Sequence, residues 1–117
     1  MTILGAKGRK EFEKQMLRHL FPVFLLWYIS KREVHGYELL KTLEGEEGFR
    51  IITASKLYPI LKEMTSRGLI AQKKEMQGKR ARKIYHITEK GRSVLREARK
   101  AMRGRPLKRR FMKEMVG

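Results

Sequence analysis

The chain predicts a mainly α fold with one small two-stranded antiparallel β-hairpin. Three observations lead there. Apolar residues recur at helical spacing in several separate stretches. The polar, glycine-containing segment QGKRA joins two short strand-like runs, LIAQKKEM at 69–76 and RKIYHI at 82–87. Gly45, Gly48, Gly68, Gly104, Pro22 and Pro106 fall at the ends of the helical stretches, with Pro59 the exception among the prolines. A chain of 117 residues has material for one modest core.

The elements follow in order. Phe12, Met16, Leu17 and Leu20 fall on one face of an N-terminal helix whose other face is charged, so this helix requires a partner surface. Pro22 then opens a second helix, Phe21 to about Ser30, because a first turn tolerates its fixed φ and missing N–H. That helix is apolar nearly all round and is expected to be buried. A third runs from Gly36 to about Leu43 with Tyr37, Leu39, Leu40 and Leu43 inward, stopped by Gly45 and Gly48. Thr53 is the expected N-cap of a fourth helix that reaches Arg67, with Leu57, Ile60, Leu61 and Met64 toward the core and Gly68 as the C′ residue. Pro59 is its misfit, six residues in, where its ring removes a hydrogen bond to residue 55. After the hairpin, Thr88 caps a long last helix with Val94, Leu95, Ala98, Ala101 and Met102 on one face and bases on the other. Gly104-Arg105-Pro106 breaks it. The tail beyond, with Leu107, Phe111, Met112 and Met115, either adds an amphipathic turn or two or stays loose. The core order helix, helix, helix, hairpin, helix is that of a winged helix-turn-helix with extra N- and C-terminal helices. Its parts are an N-terminal dimerisation helix at 1–20, the winged core at 21–87, and a C-terminal dimerisation helix with basic tail at 88–117.

Charge narrows the partner. Lysine and arginine number 29 against 12 acids, a formal charge of +17. More than half of that excess lies beyond residue 76. Such a chain attracts polyanions, while its 41% hydrophobic content provides for a core. With no cysteine there are no disulfides, thiol nucleophiles or thiolate zinc sites, which suits a reducing, cytoplasmic setting. The longest apolar run, Leu20–Ile29, covers about half a membrane helix, and the N-terminus lacks the pattern of a signal peptide. No membrane partner is expected.

Three strings carry a family likeness: HGYELLKTL (35–43), SKLYPILKEMTSRGLI (55–70) and YHITEKGRSVL (85–95). Together they closely resemble the PadR family of transcriptional regulators, and the likeness runs from about Phe24 to Leu95. It implies a winged-helix DNA-binding repressor that acts as a two-fold dimer, with dimer contacts made by helices outside the core motif. It also makes Pro59 a shared local feature. In several PadR-like proteins aromatic residues near the dimer centre help form a pore for flat apolar effectors. The aromatic cluster of Phe21, Phe24, Trp27 and Tyr28 raises that question, with Trp27 as the effector candidate and ordinary core or dimer packing as the favoured account.

The likeness implies double-stranded DNA as the partner, and the residues themselves suit it, the alternative being a solvated helix face with Tyr58 packed at the core edge and a solvated wing loop. Thr53, Ser55, Lys56, Tyr58 and Lys62 fall away from the Leu57–Leu61–Met64 face, and short hydroxyls near a helix N-terminus are good phosphate partners. Lys79, Arg80, Arg82 and Lys83 concentrate charge on the wing at 77–82 and its flank, suited to phosphates or a minor groove. Phe12, Met16, Leu17 and Leu20 with Val94, Leu95, Ala98 and Met102 are the dimerisation candidates, being more apolar surface than one small core absorbs.

No cofactor or metal is expected: His19, His35 and His86 lie in three elements without metal-ligand spacing. No catalytic motif or nucleophile–base pair appears, so catalysis is not expected. The rival to a sequence-reading regulator is an architectural or RNA-associated winged helix that grips backbone only, and a weaker rival is a module binding an acidic protein.

Overall fold

The computed structural model describes residues 6–46, 49 and 52–117, with side chains of the first helix described at Glu11 and from Arg18 onward. The elements are α1 (Ala6–Lys31), β1 (Val34–His35), α2 (Gly36–Glu44), α3 (Ala54–Ser66), β2 (Ile70–Gln77), β3 (Arg80–Ile87), α4 (Glu89–Arg103) and α5 (Pro106–Val116). No described helix is long and apolar enough to cross a membrane.

The two N-terminal helices expected from Pro22 are one. α1 runs unbroken for 26 residues with Pro22 inside it. An interior proline costs about 3 kcal/mol, but breaking the helix here would misplace Phe21, Leu25, Leu26 and Ile29, all buried. Burial of such side chains contributes about 1.5–3 kcal/mol each, so packing outweighs the ring. The segment is not buried all round, however. Trp27 stands 47% exposed.

Leu39 and Leu43 of α2, and Leu57, Leu61 and Met64 of α3, meet the α1 residues in one core with Ile52, Ile70, Tyr85 and Ile87. Tyr37, expected inward, is 48% exposed: it lies two residues before Leu39, which turns it to another face of so short a helix. α3 starts after Thr53, whose backbone is extended as an N-cap requires. Its hydroxyl meets that of Ser55 at 2.9 Å instead of bonding a backbone N–H. At the other end Gly68 adopts φ 76°, and the Leu69 N–H donates to the Met64 carbonyl at 3.0 Å. This is the glycine-dependent closure by which helices commonly end.

The hairpin is joined by a third strand that the sequence did not betray. Val34 pairs with Tyr85 and His35 with Ile84, giving the order β1-β3-β2, antiparallel throughout. A two-residue strand is too short to display alternation. The wing is also tighter than expected. Gln77 pairs with Arg80, leaving Gly78 and Lys79 as a two-residue turn with Gly78 at φ 62°, as a primed hairpin turn needs. Arg80 therefore belongs to β3 with Arg82 and Lys83 rather than to the connecting segment.

α4 begins at a cap of high definition. The Gly91 N–H donates to Thr88 Oγ1 at 3.0 Å, and the one proton of that hydroxyl is shared between the carbonyls of Gly68 and Leu69, 2.5 and 3.0 Å away. Gly91 is required here, because a Cβ would lie 2.0 Å from the Leu69 carbonyl oxygen. The TEKGR string is thus a joint between α4 and the α3–β2 corner. Beyond Gly104 the tail is helical: α5 is an 11-residue helix with Pro106 in its first turn and none of its residues buried.

Candidate nucleic-acid interface

α3 presents its outer face along Ser55, Pro59, Lys62 and Ser66, spaced four, three and four residues apart and all exposed. Tyr58, 41% exposed, flanks this stripe. Its ring packs over the first residue of α2: a Cβ on Gly36 would stand 3.1 Å from the Tyr58 ring and 3.3 Å from that of Tyr85. The HGY string is legible in these terms, since a side chain at residue 36 would oblige both rings to give by a few tenths of an ångström. Tyr85 is buried; burial pushes its phenol above the ordinary value and the neighbouring Tyr58 adds to the rise.

Between α3, the start of α2 and the hairpin runs an open groove of about 1290 Å³. Tyr58, Pro59, Lys62 and Ser66 form one wall, and Arg80, Arg82 and Lys83 the other. Four cations and no carboxylate occur among the described residues that line it. The Arg82 guanidinium carbon lies 5.2 Å from the centre of the Tyr37 ring, and Lys41 Nζ lies 5.2 Å from the same ring. Such contacts orient a cation without neutralising it. At the groove's edge His35 Nδ1 pairs with Glu38 Oε1 at 2.5 Å.

The groove unites Tyr58, Lys62, Arg80, Arg82 and Lys83 from the sequence expectation. Thr53, Ser55 and Lys56 are exposed at the leading end of α3, outside the groove walls, and Lys79 occupies the hairpin tip. Sequence reasoning missed Tyr37 as a groove residue. No local signal marks it, because the groove forms only where β3 comes beside the start of α2.

A second groove, about 670 Å³, lies on the other side between α1 and α4. Leu20, Phe24, Trp27, Phe49, Leu95 and Met102 give it an apolar floor, with Lys31, Arg92, Arg96 and Arg99 around them. Phe49 joins the aromatic cluster, 4.7 Å from Phe24 between ring centres. Leu20, Val94 and Met102 are exposed and Leu95 and Ala98 half-buried; the side chains of Phe12, Met16 and Leu17 lie outside the described residues. No group of three His, Asp or Glu side chains that could hold a metal occurs among the described residues.

The transcriptional regulator PadR-like family matches residues 25–97. A transcriptional regulator of Mycobacterium tuberculosis is 31% identical over 93 residues, covering 80% of this chain and 81% of that protein. The crystal structure of a PadR-like transcriptional regulator from Bacillus cereus superposes with a TM-score of 0.71 at 31% identity, over 88% of this chain and 98% of that one. Bacillus subtilis PadR, solved in complex with operator DNA, gives a TM-score of 0.61 at 28% identity, over 75% of this chain and 50% of that one. These relatives are regulators of transcription, not enzymes. With the winged-helix core and more than half its length matched, the chain belongs to the PadR-like family of transcriptional regulators.

Proposed function

We propose that the chain represses transcription by reading an inverted-repeat DNA operator as a homodimer. The observation that carries this is the groove in which the outer face of α3 and the basic strand β3 meet without a carboxylate among its described lining residues. α3 enters the major groove, where Ser55, Lys56, Tyr58 and Lys62 reach base edges or phosphates. Thr53 supplies a hydroxyl to a phosphate at the helix start, and Lys79, Arg80, Arg82 and Lys83 hold the flanking backbone or minor groove. The operator complex of Bacillus subtilis PadR supports this assignment by analogy.

Dimerisation falls to α1 and α4, with α5 as an added arm. Trp27, Val94 and Met102 are exposed on the one side, and Leu107 and Met115 on the arm are 79% and 72% exposed. Apolar surface left open this way calls for a second copy. Dimer packing has first claim on the α1–α4 groove, and a small flat apolar effector around Trp27 the second. Two recognition helices so joined address half-sites about one helical turn apart. A cytoplasmic location belongs to the same reading.

A non-specific component accompanies it, because Arg99, Lys100, Arg103, Arg105 and the bases of α5 lie beyond the family-matched residues and are exposed. Neutralising about six phosphates gives a slope near −5 for log K against log salt. Selection of bound duplexes from a random library, with excess competitor at near-physiological salt, separates the readings. An enriched inverted repeat is the expected result. Recovery of unenriched DNA would assign the chain to the architectural class.

A further inference from the structure

Pro59 lies in the middle of the outward stripe of α3, between Ser55 and Lys62, and is exposed. A proline at the sixth position of a helix forfeits the N–H bond to the Ser55 carbonyl and costs stability. Pro22 breaks the same rule in α1, but there the surrounding helix is deep in the core. Pro59 contributes no comparable burial. A local rule broken without internal compensation points to a use outside the chain.

Its chemistry restricts that use. The ring has no donor and no charge, so it makes neither a phosphate contact nor a hydrogen bond to a base edge, unlike Ser55, Lys56 and Lys62 around it. It does offer an exposed apolar surface on the outer face of α3, beside the ring of Tyr58, which lies against Gly36. The apolar feature of a major groove is the C5-methyl group of thymine.

We propose that Pro59, walled by Tyr58, determines specificity by packing on a thymine methyl group in each half-site. This rests on the reading of α3 as the DNA-facing helix. Replacing a thymine by uracil removes the methyl and leaves every hydrogen-bonding group unchanged. One buried methyl corresponds to about a fourfold change in affinity.

The experiment takes the operator found by selection and measures binding of duplexes in which each thymine in turn is uracil, with the native chain and with Pro59→Ala. The alanine variant regains the backbone donor and favours the helix, so folding is not at risk. One thymine per half-site is expected to lose about fourfold with the native chain and less than about twofold with Pro59→Ala, while other positions behave alike in both. A Pro59→Ser variant is expected to match the alanine one. Absence of any thymine whose uracil effect depends on residue 59 overturns the inference and leaves the regulator reading intact. Failure to enrich any operator overturns both.

Discussion

The chain has two glycine-marked joints around α4, and they differ in kind. At its start, Thr88 and Gly91 are bonded into the α3–β2 corner: one hydroxyl touches three backbone groups, and Lys90 Nζ reaches the Arg67 carbonyl at 2.7 Å. At its end, Gly104 takes φ 60° and ψ −167°, a conformation essentially confined to glycine. The atoms nearest a Cβ there belong to the stem of Lys108, whose Nζ donates to the Ala101 carbonyl. The first joint closes the core. The second aims a helix that has no core of its own. Glycine at a helix boundary thus means close approach in one place and direction in the other, and its surroundings decide which.

Substitutions sharpen the contrast. Gly91→Ala forces Cβ against a backbone oxygen that cannot swing away, so stability is expected to fall by about 3 kcal/mol, read from the urea midpoint. A loss under about 1 kcal/mol would show that α4 slides freely on the corner. Thr88→Ala removes the cap and the hydroxyl proton shared between the two carbonyls, with an expected cost of about 2 kcal/mol, most of it recovered by Thr88→Ser. Gly104→Ala is the counterpart at the loose joint. There α5 can turn to relieve the strain, so the midpoint of the core is expected to shift by no more than about 0.5 kcal/mol. In the proposed homodimer, self-association measured by sedimentation is expected to weaken by about tenfold, or about 1.4 kcal/mol. Equal effects of Gly91→Ala and Gly104→Ala on the core would erase the distinction.

The same contrast separates what was legible in the sequence from what was not. α2, α3 and the start of α4 were readable because each is bounded by a local signal with a fixed meaning: Gly45 as a stop, Gly68 at positive φ, Thr88 as a cap. Continuity of α1 was not, because a proline reads as a start unless the burial on both sides of it is known. β1 exists only through its pairing with β3. Of the candidate site, the exposed face of α3 followed from the period of Leu57, Leu61 and Met64, and the bases of the wing followed from composition. That Arg80, Arg82 and Lys83 share a groove with Tyr58 and Lys62 is a tertiary fact, as is the contact of Arg82 with Tyr37. Nothing local in HGY announces it.

The hairpin tip carries a consequence for the lineage. A side chain built at Gly78 would touch nothing within 4 Å, and β2 is exposed from Gln72 to Gln77. No buried residue depends on where the ribbon ends. Adding one residue to each strand at the tip would lengthen it by about 3.4 Å while leaving Arg82 on Tyr37. The length of the ribbon is therefore a quantity that evolution can adjust in small steps, independently of the core that holds α3.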